Sequence, residues 1–202
     1  MALTNTGSGG GGATYVTLYK GYWGERSDES TEGTVSRERG GTGDNSKDII
    51  WEKRYDTLSG KITNAYLEES KFGENLMLVL DDNGEVVMAR MKSTGKLGES
   101  IQKTFPNIDV TSDVQLKAYI NKQGYSSLWI EQAGEGVKWA FTKESPNGMP
   151  QPIVKTVKGK EVYDWSDVTN FIYESTQKWC TQFEGAPVKE EDKPAVEEDM
   201  VF

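Results

Sequence analysis

Residues 113–122 read DVQLKAYINK. On an extended strand Leu116, Ala118 and Ile120 fall on one face, and Lys117, Tyr119 and Asn121 on the other. A cation beside a flat ring on a polar strand face can hold an anionic group such as a phosphate while the ring stacks on a planar heterocycle. Arg90 and Lys92 alternate in the same way along residues 85–92. Between Val86 and Gly124 six basic residues (Arg90, Lys92, Lys96, Lys103, Lys117, Lys122) stand against three acidic ones (Glu99, Asp109, Asp113). That local excess of positive charge sits in a chain of 202 residues with a formal net charge of -9. Lys53, Arg54, Lys61, Tyr66 and Tyr125 are further cations and rings that would extend such a surface.

Other chemistries lack their residues. The chain contains 0 His and 1 Cys. A Ser-His-Asp or Cys-His arrangement and a His-ligated zinc are therefore excluded, and Cys180 has no partner for an intrachain disulfide. Asp81 and Asp82 adjoin Asn83-Gly84, where turn formation accounts for them. Asp164 and Asp167 open a helical pattern, where the helix dipole accounts for them. No convergent catalytic set emerges, so no enzyme activity, metal or cofactor is expected. Gly7, Gly9 and Gly12 satisfy GxGxxG without a preceding strand, and that motif needs its βαβ setting. No apolar run approaches the ~20 residues of a spanning helix and no signal-peptide pattern opens the chain, so the expected setting is the cytoplasm, away from membranes.

The elements that must position the cations and rings read mainly as strands. Residues 1–13 (MALTNTGSGGGGA) are a Gly-rich arm, residues 14–23 are β-prone, and residues 24–47 are a long polar loop carrying Arg37 and Arg39. Residues 49–69 alternate with β-branched and aromatic side chains, and 75–81 (NLMLVLD) form a continuous apolar run that should be buried on both faces. Asp82-Asn83-Gly84 marks a hairpin leading into 85–92. Leu97, Ile101 and Phe105 recur at helical spacing until Pro106. Residues 113–122, 125–131 and 136–142 read as the remaining strands, with Val137, Trp139 and Phe141 alternating as core. Residues 143–160, with Pro146, Pro150 and Pro152, read as a linker or extended arm. Residues 164–183 form a helix whose stripe Trp165, Val168, Ile172, Trp179 and Phe183 should dock on the body, with Asp164 as cap. Residues 185–202 have the composition of a disordered acidic tail.

Three strands, a short helix and two strands between Ile49 and Thr142 is the order of an oligonucleotide/oligosaccharide-binding barrel. The expectation is a mainly β fold: a five-stranded barrel of this kind with a short helix between strands three and four. The Gly-rich arm 1–13 precedes a domain at 14–184 that carries an appended C-terminal helix, and a disordered tail at 185–202 follows. The tail closes with Glu197, Glu198, Asp199, Met200, Val201 and Phe202. The acids alone read as a solubilising run, but exposed Met, Val and Phe beside them fit capture by a partner with a basic rim and an apolar pocket.

This end resembles the C-terminal tip of bacterial and phage single-stranded-DNA-binding proteins, which is acidic and finishes in a short hydrophobic segment with a last Phe. Glu197, Glu198 and Asp199 match the acidic part and Phe202 the final residue, whereas Met200-Val201 stands where bacterial versions usually carry Ile-Pro. The long N-terminal extension and added helix look more like the phage-encoded proteins. The resemblance implies a non-catalytic protein that binds single-stranded DNA without strong sequence preference during replication, recombination or repair. It also implies a tail that recruits replication or recombination proteins, in the host cytoplasm if the protein is phage-encoded. A protein-interaction or virion-associated module, and an RNA-binding module of the same barrel type, are the alternatives.

Overall fold

The computed structural model describes residues 13–27, 29–39 and 48–183. Ten strands build one curled, half-barrel sheet: β1 (Thr14–Tyr19), β2 (Tyr22–Ser27), β3 (Val35–Glu38), β4 (Ile49–Tyr55), β5 (Thr57–Ser70), β6 (Gly73–Asp82), β7 (Glu85–Lys92), β8 (Asp113–Ile120), β9 (Ser126–Gln132) and β10 (Glu135–Gly136). Two more, β11 (Ile153–Val157) and β12 (Lys160–Asp164), form a separate hairpin. The helices are α1 (Gly95–Gln102), between β7 and β8, and α2 (Ser166–Cys180). Strand order across the large sheet is β10-β9-β8-β5-β6-β7-β1-β2-β4-β3.

The protein is thus mainly β, as its alternation requires, but it is not a closed five-stranded barrel with a helix between strands three and four. The physical reason lies in the N-terminal strands. β1 adds to β7 in parallel register, Val16 opposite Ala89, and brings β2, β4 and β3 with it into the same sheet. Residues 49–69 are two strands, parted at Asp56. The expected loop at 24–47 in part continues β2 and supplies β3, while its residues 28 and 40–47 lie outside the described residues, as do 1–12 of the arm and the tail at 185–202.

Where alternation is strong, sequence and structure agree. Leu76, Leu78 and Leu80 of β6 point into the sheet's concave side with Ala89, Val87, Val16, Ala65 and Ile62, and all are buried. Met77, on the opposite face, is also buried, which is why the run is apolar at every position. Asn83 and Gly84 occupy the two central positions of the β6–β7 turn with φ of 57° and 92°, the left-handed pair that a two-residue hairpin loop demands. The β1–β2 turn uses Lys20 and Gly21 in the same way. A Cβ on Gly21 would lie 2.7 Å from a side-chain carbon of Ile120, so only glycine lets this turn touch the end of β8.

The α2 stripe docks as its spacing predicts, with Val168, Ile172 and Trp179 buried. Trp179 stacks on Phe105 with ring centroids 4.4 Å apart, and Phe183 meets Trp179 edge-on at 5.2 Å. Thr176 completes the buried face because its hydroxyl is satisfied by the Ile172 carbonyl and Gln102. Asp164 accepts the Ser166 N–H at 3.1 Å in a local turn, but the N-cap position belongs to Trp165 and no side chain caps the helix, so Asp164 is not the expected cap. Three further expectations fail here. Trp165 is 55% exposed. Trp139 is half exposed rather than core, because residues 137–142 are irregular and a two-residue alternation has no meaning there. The linker at 143–160 contains β11, and the prolines precede it. Among the described residues no helix is long and apolar enough to cross a membrane.

Trp179→Ala should lower the free energy of unfolding by about 3–5 kcal/mol in urea titrations, since it removes the main aromatic contact between α2 and the sheet. Burial first, then the charge of Glu74, push the Cys180 thiol up to about 11. A thiol reagent should therefore label the native chain slowly at pH 8, with the rate rising toward pH 11 and matching free cysteine only after unfolding.

Candidate nucleic-acid interface

The face opposite the core is read by pairing register. Tyr66 of β5 lies opposite Met77 of β6, Met77 opposite Arg90 of β7, Arg90 beside Thr17 of β1, Thr17 opposite Gly24 of β2, and Gly24 opposite Arg54 of β4. Partnered residues share a face, so one row crosses six strands on the outer surface of the curl. Three of its six residues are aromatic or cationic: Tyr66 at one end, Arg90 within the row and Arg54 at the other end. Tyr66 is half-buried, and burial, followed by the charge of Glu68, raises its hydroxyl above the ordinary tyrosine range. Arg90 is half-buried, and its Nε is a buried donor without a hydrogen-bond partner among the described residues. Buried donors are almost always satisfied, so this one stands out among the described residues.

At the β4 end the row runs into a stacked ladder. The Arg54 guanidinium lies 4.4 Å from the ring centroid of Tyr22, and the Arg37 guanidinium 4.3 Å from that of Tyr19. Tyr19 and Tyr22 meet edge to face at 5.8 Å. Behind them Glu52 is 3% exposed and accepts from Arg37 Nε at 2.7 Å, from Arg54 Nε at 2.9 Å and from the Tyr22 hydroxyl. Burial, then the bond to Glu52 and its charge, drive the Tyr22 hydroxyl well above its usual range, so it remains a donor at physiological pH. One buried carboxylate thereby holds two guanidinium groups over two rings, with net positive charge left over. Gly24 belongs to the same device: a Cβ there would come within 3.3 Å of the Glu52 carboxylate.

The ladder abuts β8 through the Lys20–Gly21 turn, where a Gly21 Cβ would stand 2.8 Å from the Tyr119 backbone. Tyr119 and Lys117 share the outer face of β8, as expected, and Trp129 of β9 lies opposite Lys117. Trp129 is 47% exposed, and its ring lies over Gly136, where a Cβ would overlap the indole at 1.9 Å. Lys117, however, is engaged by Glu131 at 2.6 Å, which offsets its charge. Lys122 and Tyr125 are exposed in the β8–β9 turn, adjoining this patch.

The remaining sequence-derived residues scatter. Lys53 sits opposite Glu25, on the other face of β4 from Arg54. Lys61 is exposed between Asp81 and Asp113, its cross-strand neighbours. Lys92 lies opposite Asn75, two residues from Arg90 on the same face. Lys96 is exposed on α1. Glu197, Glu198, Asp199, Met200, Val201 and Phe202 lie outside the described residues. Sequence reasoning missed Tyr19, Tyr22 and Glu52. A weak signal existed in the alternation of Tyr15, Thr17 and Tyr19 against Val16 and Leu18, but nothing local brings Arg37 and Glu52 to them. Among the described residues no group of three or more His, Cys, Asp or Glu could hold a metal ion. No family model, curated protein or solved structure matches this chain.

Glu52→Ala should destabilise the fold by about 3–5 kcal/mol in urea titrations, because it leaves Arg37 and the Tyr22 hydroxyl without their buried acceptor.

Proposed function

We propose that this chain is a non-catalytic protein that binds single-stranded DNA without strong sequence preference and protects it during phage replication, recombination or repair. The observation that supports this reading is the row from Tyr66 through Arg90 to Arg54, continued by the Arg54–Tyr22 and Arg37–Tyr19 stacks toward Tyr119. Unpaired bases need π surfaces on which to stack, and guanidinium planes serve as well as rings. Their phosphates need cations along the same track. A band of this kind reads no base edge, so it fits coating of a strand rather than recognition of a sequence. The Arg90 Nε, unpartnered among the described residues, would gain a phosphate or base acceptor.

In this picture the segment Glu197–Phe202 recruits replication or recombination proteins, and the protein works in the cytoplasm of the host. Its net charge of -9 does not oppose binding, because at 0.15 M salt charges more than about 8 Å apart are largely screened and the local field decides.

A fluorescein-labelled oligo-dT should bind the protein at low salt and lose affinity as salt rises. Arg90→Ala and Tyr66→Ala should each weaken binding by about 1–3 kcal/mol, roughly five- to 150-fold, and Arg54→Ala should also flatten the salt dependence by about 0.7 per phosphate released. No anisotropy change at low salt, or equal affinity for duplex DNA, would reject the proposal. Preference for ribose oligomers would move it to RNA.

A further inference from the structure

A second feature stands apart from the outer-face band. A cavity of about 730 Å³ opens between residues 139–152, the β11–β12 hairpin and the first turn of α2. Phe141 and Val168 give it buried apolar surface. Trp139, Tyr163 and Trp165 line it while remaining 49%, 50% and 55% exposed. Lys103 and Lys143 also line it, against Glu144 as the sole acid of the wall. The Lys103 ammonium stands 5.4 Å from the Trp139 ring centroid. Three large aromatic side chains facing one open pocket are costly in water unless something covers them. An occupant should be apolar where it meets the rings and acidic where it meets the lysines.

The chain itself carries one such sequence. We infer that this pocket captures the segment Glu197-Glu198-Asp199-Met200-Val201-Phe202 of the same molecule. Met200, Val201 and Phe202 cover the aromatic wall, and the three carboxylates approach Lys103 and Lys143. Length permits it. The pocket lies at the first turn of α2, and the described chain ends at Phe183, just beyond the last turn. A helix of 15 residues spans about 22 Å, whereas the thirteen residues from 184 to 196 reach up to about 43 Å when extended. A tether of that length presents its own segment at roughly millimolar effective concentration, so a weak contact suffices. None of the residues of the outer-face band lines this cavity, so the inference does not depend on nucleic-acid binding.

The test uses a fluorescein-labelled peptide of residues 194–202 titrated into the full chain carrying Phe202→Ala. Saturable binding is expected, about tenfold or more tighter than to the wild-type chain, whose own segment competes. Combining Lys103→Glu and Lys143→Glu with Phe202→Ala should weaken peptide binding by about tenfold. A peptide with Ser at positions 200, 201 and 202 should weaken it similarly, and this control leaves the folded body untouched. Absence of saturable binding to the Phe202→Ala chain would overturn the inference, as would equal binding of the Ser-substituted peptide. If the wild-type protein dimerises with concentration in sedimentation runs and Phe202→Ala abolishes this, the occupant comes from a second copy and capture within one chain is wrong. Oligo-dT affinity, measured in parallel, reports on the outer face separately.

Discussion

The Trp23 indole holds the architecture together. It projects from β2 into the concave side, is 0% exposed, and donates from Nε1 to the Leu116 carbonyl of β8 at 3.0 Å. In sheet order β2 and β8 are separated by β1, β7, β6 and β5, so this side chain bridges distant strands directly, beside the β4–β5 junction where the Ala118 N–H donates to the Asp56 carbonyl at 2.8 Å. It can do so only because the sheet curls. Full burial of an indole contributes a large apolar area, and its N–H needs an acceptor once water is gone. The Leu116 carbonyl answers that need from the opposite flank. The glycine at position 21 then lets the β1–β2 turn close on Tyr119 and Ile120.

From that closure the outer face follows. If Trp23 points inward, period-two geometry sends Tyr22 and Gly24 outward, and with them the register that places Arg54 over Tyr22. Glu52 then becomes the natural counter-ion for a crowded set of donors. A buried carboxylate is costly alone, but here each oxygen is engaged, and its charge is outnumbered by the guanidiniums it orients. The same residue thus sets the local sign of the surface and removes the side-chain freedom that long cations otherwise lose on binding.

How much of this could be read in advance depends on where the determining contact lies. The β6–β7 hairpin was legible because its apolar run, its Asn-Gly turn and its partner strand are contiguous. The α2 stripe was legible because helical spacing needs no distant partner, and even there Trp165 escapes to the surface. The Arg90 and Lys117 faces were legible from alternation, whereas the ion pair between Lys117 and Glu131 crosses strands and was not. The parallel pairing of β1 with β7 joins residues some seventy positions apart, and no short-range pattern encodes it. Without it the strand count comes out too low, and Tyr19, Tyr22, Arg37 and Glu52 look unrelated. The β11–β12 hairpin hid for a different reason: its residues are almost uniformly exposed, so its apolar side chains carry no burial signature.

The rims of the large sheet are its shortest strands, four residues in β3 and two in β10. A strand that brief offers another molecule few free amide and carbonyl groups of its own, and growth by strand addition, the usual route from a broad sheet to fibrils, is blunted most at the β3 end, since β10 pairs only with Glu131 and Gln132 of β9. Molecules crowded side by side would therefore have to meet through side chains, and such an array could be taken apart again without unpicking any backbone ladder.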